Sequence, residues 1–187
     1  MFSKKLFFVF ILFLTAINTS FAQGFDYASV DKFSDDLNLA ISENRLLTNN
    51  LQINRTKSPI AGGIYSEDIY FYYAIDNGRV VLKKIISSIN YASRVIYTDF
   101  LFDDAGNLIK CSYNQDATRD MYDLSVKRIR TYYLTRQLKY VNSNGDTFNE
   151  ATFTTEHVQA GIDGMARGEK YKALFDAIYK VQEIPKK

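Results

Sequence analysis

The stretch Ile69-Tyr70-Phe71-Tyr72-Tyr73-Ala74-Ile75-Asp76-Asn77-Gly78-Arg79-Val80-Val81-Leu82-Lys83-Lys84-Ile85-Ile86 decides the fold. Two runs rich in β-branched and aromatic residues flank an Asn-Gly pair. Both residues of that pair tolerate positive φ, which a two-residue turn between antiparallel strands requires. Side chains alternate along a strand, so Ile69, Phe71, Tyr73 and Ile75 share one face, while Tyr70 and Tyr72 share the other. Both faces of this strand are hydrophobic enough to need covering.

Working outward, Arg94 to Phe102, the turn Asp103-Asp104-Ala105-Gly106-Asn107 and Leu108 to Tyr113 form a second hairpin. Val126 to Leu134, a turn at Thr135-Arg136-Gln137 and Leu138 to Val141 form a third, before Ser143-Asn144-Gly145-Asp146. An aromatic strand, a polar turn, an aliphatic strand and a lysine thus recur at a spacing of about thirty residues, as in a degenerate repeat or in any meander of short hairpins. The connections are too short for crossovers, so the sheet is antiparallel.

Helices flank the hairpins. Val30, Phe33, Leu37, Ala40, Ile41, Leu47 and Leu51 recur at helical spacing and predict an amphipathic helix from about residue 28 to between 44 and 50, capped by Asp26 or Ser29. Near the C-terminus Tyr171, Leu174, Phe175, Ile178 and Val181 form an apolar stripe, ended by Pro185. Gly161, Gly164 and Gly168 could make a close-packing face, but at about 1 kcal/mol each against alanine they are expected to divide two short helices. The expected fold class is α+β. It comprises an N-terminal helix, an antiparallel meander of about six strands in three hairpins, and a C-terminal helix or helix pair packed on the sheet.

The first 22 residues have another character. Lys4 and Lys5 precede an uncharged apolar run from Leu6 to Ala16, and Ser20-Phe21-Ala22 supplies small residues before a cut. This pattern predicts a secretory signal peptide over 1–22, a single secreted domain over 23–187, and a periplasmic or secreted location. No later run approaches spanning length, so no stable membrane span is expected after processing. Removing Lys4 and Lys5 leaves 21 basic against 21 acidic residues, so the formal charge falls from +2 to zero. Such a balance disfavours a nucleic-acid partner. All 14 tyrosines remain, most in or beside predicted strands.

Counting removes much familiar chemistry. One cysteine, Cys111, excludes an intramolecular disulfide and a Cys-x-x-Cys pair; one histidine, His157, excludes a His-rich metal site. No nucleophile-elbow, phosphate-loop or dinucleotide motif is present, and no metal or cofactor is expected. Cys111 is expected to be a buried hydrophobe in a strand, and His157 a surface residue in a first helical turn. Carboxylates are plentiful at Asp99, Asp103, Asp104, Asp116, Asp120 and Asp123. A carboxylate pair could hydrolyse glycosides, yet the turn Asp103-Asp104 is already explained by hairpin chemistry.

Val126 to Tyr140 carries Lys127, Arg128, Arg130, Arg136 and Lys139 with no acid. In a strand Arg128, Arg130 and Tyr132 point to one face, setting two guanidiniums beside a phenol, an arrangement suited to phosphate, a sugar acid or a polyanion. The layout of leader, helix, aromatic hairpins and terminal helix resembles small uncharacterised secreted or periplasmic bacterial proteins of the cystatin-like or PepSY-like α+β kind. The resemblance implies inhibitors, binding modules or accessory subunits, and carries over no residue. The expected function is therefore a non-catalytic envelope protein. It would bind a protein or a small ligand, anionic ones included, through an aromatic and basic sheet face at Arg128, Arg130 and Tyr132. The alternative is a hydrolase-like enzyme using the loop carboxylates, with its catalytic residues unassigned.

Overall fold

The structure, a computed structural model, describes residues 26–60, 63–91, 94–116 and 127–182. The expected signal peptide lies outside the described residues. Helix α1 spans Tyr27–Ser42; its N-cap Asp26 accepts the amide of Ala28 at 2.9 Å and the hydroxyl of Ser29 at 2.5 Å. It ends earlier than the periodicity predicts. Asn44 takes a left-handed φ of 56°, its amide donates to the Ile41 carbonyl, and the Arg45 amide donates to the Ala40 carbonyl. This pair of bonds is the Schellman stop, with asparagine in the place glycine usually fills.

The chain then forms β1 (Leu47–Ile53), β2 (Pro59–Ile60), β3 (Gly63–Asp76), β4 (Arg79–Tyr91), β5 (Val95–Phe102), β6 (Leu108–Asp116), β7 (Lys127–Leu134), β8 (Gln137–Ser143) and β9 (Asp146–Asn149). Every described pairing is antiparallel. Eight strands lie in the order β1-β3-β4-β5-β6-β7-β8-β9, with the two-residue β2 paired to β3 off that path. All six predicted strands are present. Leu47 and Leu51, expected in the first helix, belong to β1, where Leu51 lies opposite Ile69. A spacing of four fits a helical turn and also two pleats of a strand, and the early helix stop selects the strand. The predicted turn residues Asn77 and Gly78 have φ of 49° and 75°. Asn144 and Gly145, at 53° and 108°, turn the chain into β9, a short edge strand that the sequence reading did not include.

Each of the three predicted hairpins contains one register shift, between Tyr72 and Tyr73, Leu101 and Phe102, and Tyr132 and Tyr133. The extra residues are Lys83, Ile109 and Lys139 on the returning strands. The shifts fall on one cross-strand level, because Tyr72 pairs Lys84, Lys84 pairs Leu101, Leu101 pairs Lys110, and Lys110 pairs Tyr132. A bulge bends its strand and increases local twist, so a row of them bends the sheet along one line.

Helix α2, Thr155–Gln182, is a single element of 28 residues. Thr154 and His157 start it with reciprocal bonds: the Thr154 amide donates to His157 Nδ1 at 3.2 Å, and the His157 amide donates to Thr154 Oγ1 at 3.4 Å. This is capping-box geometry with histidine as the third helical residue. The three glycines do not divide the helix. At spacings of three and four they form one face, and a Cβ at each would collide with the sheet: with Leu138 at Gly161, Tyr133 and Thr131 at Gly164, and Leu108 and Phe100 at Gly168. Further along that face Tyr171 packs on Phe100 and Phe175 on Phe71 and Tyr73. Ile69, Phe71, Ile85 and Phe100 are fully buried there, each worth about 1.5–3 kcal/mol of apolar transfer.

Helix α1 covers the opposite face through Ser34, Leu37 and Ala40, and it meets charge there. Lys84 and Lys110, only 2% and 7% exposed, are held by Asn38 and Asp99 and by Asp31. Their Nζ atoms lie 2.7 Å from Asn38 Oδ1, 3.3 Å from Asp99 Oδ2 and 2.6 Å from Asp31 Oδ1. Buried charges survive only when paired in this way.

Gly164→Ala separates propensity from packing. On an exposed helix it would stabilise by about 1 kcal/mol. Here the new Cβ would lie 2.6 Å from the Tyr133 hydroxyl. We expect a net loss of about 1–3 kcal/mol, read as a lower urea midpoint at unchanged slope. A raised midpoint would show that the helix does not sit at this depth.

Candidate functional site

Two regions of the sheet are candidates, one on each face. The first contains the predicted residues. Arg128 pairs with Asn114, Arg130 with Ser112 and Asn142, and Tyr132 with Lys110 and Tyr140, so the three share a face as the alternation requires. Their environments diverge. Arg128 and Arg130 are exposed, whereas Tyr132 lies beneath α1 and is 2% exposed. Its hydroxyl donates to the Asp31 carboxylate at 3.0 Å, and the Tyr27 ring lies 5.9 Å away. Burial, reinforced by the Asp31 charge, pushes this phenol well above its usual range. Tyr132 is therefore a structural donor to Asp31, with Arg130 beside its hydroxyl, and exposed Tyr97 and the Asn114 side chain opposite it are the other neighbours of the arginines. Asn114 Oδ1 is buried without a hydrogen-bond partner among the described residues. Of the other basic residues of the segment, Arg136 is paired with Glu169 and Lys139 with Glu150 at 2.6 Å, while Lys127 is exposed.

The carboxylates do not act as a set. Asp103 accepts the Asn107 amide at 2.8 Å and its side-chain nitrogen at 2.9 Å within the turn, and Asp104 pairs with Lys83. Asp99 and Asp116 lie in strands rather than loops, and Asp99 is spent on Lys84. Asp120 and Asp123 lie outside the described residues.

The second region lies between the sheet and the first half of α2. Small helix residues, Ala160 and Gly164, leave a cavity of about 390 Å³ above β5, β6, β7 and β8. Its floor is a hydroxyl-bearing ladder. Thr98 pairs with Tyr113, Tyr113 with Ile129 and Ile129 with Ser143, flanked by Cys111 opposite Thr131. From the helix come Glu156, His157, Gln159, Asp163 and Arg167. Thr98 is 1% exposed and its Oγ1 has no hydrogen-bond partner among the described residues. Thr131 differs, being bonded to the Tyr133 hydroxyl at 2.8 Å.

Cys111 and His157 both line this cavity, and neither is prepared for nucleophilic catalysis. Cys111 is a free, buried thiol, as its sequence reading expected, and burial pushes it up to about 12 despite the opposing Arg167 charge. A thiolate is the nucleophilic form, so this thiol is held in its inert state. His157 is half-buried rather than a plain surface residue. Its Nδ1 is used in the helix cap, and its ring stacks on Phe148 at 4.1 Å.

Beside the cavity, Glu67 is a buried carboxylate that accepts hydroxyls from Tyr65, Tyr171 and Ser87, the last at 2.6 Å. Burial, followed by the bond to Glu67, pushes Tyr171 up to about 12. Sequence reasoning missed Thr98, Arg167 and this cluster. The available signal was hydroxyl residues at inward positions of apolar strands, Ser87 between Ile85 and Ile89 and Thr98 between Ile96 and Phe100.

The thiol provides a pH test. Relative to an ordinary cysteine near 8.5, a value of about 12 leaves about three thousandfold less thiolate at neutral pH. Iodoacetamide labelling of the native chain should therefore be slow and rise about tenfold per pH unit from 7 to 10 without levelling. A plateau near pH 9 would mark an ordinary thiol and an open floor.

Compared with protein-family models, with curated proteins and with solved structures, the chain matches none.

Proposed function

We propose that this chain is an exported, non-catalytic binding protein that takes a small ligand into the cavity between α2 and the sheet. The observation that carries this reading is the wholly buried, unpartnered Thr98 hydroxyl at the cavity floor. A buried hydroxyl without a bond costs about 1–3 kcal/mol, and a ligand that supplies the partner recovers it. The volume falls in the lower part of the range typical of ligand sites, about 300–1,000 Å³. The inert thiol and the capping role of His157 favour binding over catalysis. The hydrolase alternative would need facing carboxylates, and Asp99, Asp103 and Asp104 are committed to a lysine or a turn.

Small molecules released from the purified full-length chain and identified by mass spectrometry test the reading. A species retained by the native chain should be lost from Ala160→Phe, whose ring would fill the cavity. Identical profiles from the two proteins would sink it.

A second reading keeps the basic sheet face as a docking surface for an anionic envelope partner, favoured by the exposed Arg128–Arg130 pair. On it, the Arg128→Ala, Arg130→Ala double variant should elute from immobilised heparin at clearly lower salt than the native chain. Unchanged elution would remove this reading.

A further inference from the structure

Several cationic side chains of the described residues are held by carboxylates. Lys84 and Lys110 are buried in pairs, and Lys83, Arg136, Lys139 and Lys172 each contact a carboxylate. Arg167 is different. It stands on α2 one turn beyond Gly164, lines the cavity, and has no ion pair or hydrogen bond among the described residues. Its positive charge bears on Cys111 and Tyr113 at the floor and on Tyr171 beside it. Neither the Cys111 thiol nor these phenols supplies an anion at neutral pH, since burial holds all three protonated. Two carboxylates, Glu156 and Asp163, also line the cavity, but among the described residues neither forms an ion pair with the exposed Arg167.

The remaining wall narrows what could supply one. Lys127 and Arg167 are balanced by Glu156 and Asp163, so a polyanion would meet as much repulsion as attraction. A single carboxylate can engage Arg167 alone, whose planar fork matches it with two parallel bonds. Asp163 accepts from Gln159 at 2.8 Å, and no ion pair joins it to Arg167 among the described residues. The floor is hydroxylated at Thr98, Tyr113, Thr131 and Ser143, with Ile129 its main apolar member. An alkyl chain would leave Thr98 Oγ1 unbonded. A ligand hydroxyl could both donate to it and accept from it.

We propose that the cavity binds a small hydroxylated organic acid, its carboxylate held by Arg167 and one of its hydroxyls by Thr98. This rests on the reading of the cavity as a ligand site and adds the ligand's chemical class. Arg167 has no structural partner to lose, so its removal is expected to leave the fold intact.

The test is a nuclear magnetic resonance titration of the full-length chain with D-glucuronate, with D-glucose as its neutral counterpart and octanoate as an apolar acid. D-Glucuronate should bind the native chain at least about tenfold more tightly than D-glucose, the factor expected of a charge-assisted bond, and several-fold more tightly than octanoate, which lacks the hydroxyls. Arg167→Gln should remove about that tenfold while leaving D-glucose unaffected and thermal unfolding unchanged. Thr98→Val should weaken D-glucuronate several-fold. Equal affinity for D-glucuronate and D-glucose, an Arg167→Gln variant that binds like the native chain, or no binding of any probe would overturn the assignment. Octanoate binding more tightly than D-glucuronate would overturn its hydroxylated part. Ala160→Phe separates the two levels. Probe binding abolished by Ala160→Phe but indifferent to Arg167→Gln removes only the carboxylate assignment, whereas binding that survives Ala160→Phe removes the cavity site itself.

Discussion

The contact on which the architecture turns is that of the bare backbone of Gly164 against the hydroxyl of Tyr133. That hydroxyl donates to the Gly161 carbonyl at 2.8 Å, tying the sheet to the helix backbone at the point of nearest approach. Tyr133 is almost wholly buried, so its ring cannot swing aside to admit a methyl group. The depth of α2 is set here, and the rest of that face follows from it. Beyond the glycines the same helix face carries Tyr171 and Phe175, which fill the widening gap with aromatic rings. Beside the glycines, where Ala160 is small and the floor hydroxylated, the gap stays open as the cavity.

The two faces of the sheet solve the covering problem differently. Under α2 the contacts are mainly aromatic and aliphatic, and such packing tolerates small slides. Under α1 the contacts at Asp31, Asn38, Lys84, Lys110 and Tyr132 are directional. A slide of one helical turn would strand two buried ammonium groups. Buried pairs of this kind contribute little net stability, but breaking one by removing a partner is costly. They act here as a register lock for a short helix whose apolar contribution is modest.

The hairpins were legible because their information is local. Asn77-Gly78 and the alternation around it lie within a few residues of one another, and period-two alternation alone placed Arg128, Arg130 and Tyr132 on one face. What that alternation could not carry was the fate of Tyr132, since its partner Asp31 is 101 residues away. Leu47 and Leu51 fit two periods at once, and only the left-handed Asn44 decides between them. The glycines of α2 read as helix breakers because propensity is visible in sequence, whereas the sheet side chains that demand their bareness are distant. The cavity was illegible for the same reason: Thr98 and Arg167 belong to different elements, and neither is unusual until α2 lies across β5.

The bulge line has a consequence for the order in which the chain assembles. From β3 to β9, strands that follow one another in sequence are neighbours in the sheet, so each hairpin with its bend can form with little loop closure. The contacts that seal the faces span far greater separations, 79 residues from Asp31 to Lys110 and 104 from Glu67 to Tyr171. A chain emerging from its N-terminus thus builds a sheet whose aromatic face is open to solvent until α2, last of the described elements, arrives. Throughout that interval Phe71, Phe100 and Tyr133 are open to any other hydrophobic surface, so the yield of folded molecules depends on how soon a 28-residue helix follows the final hairpin.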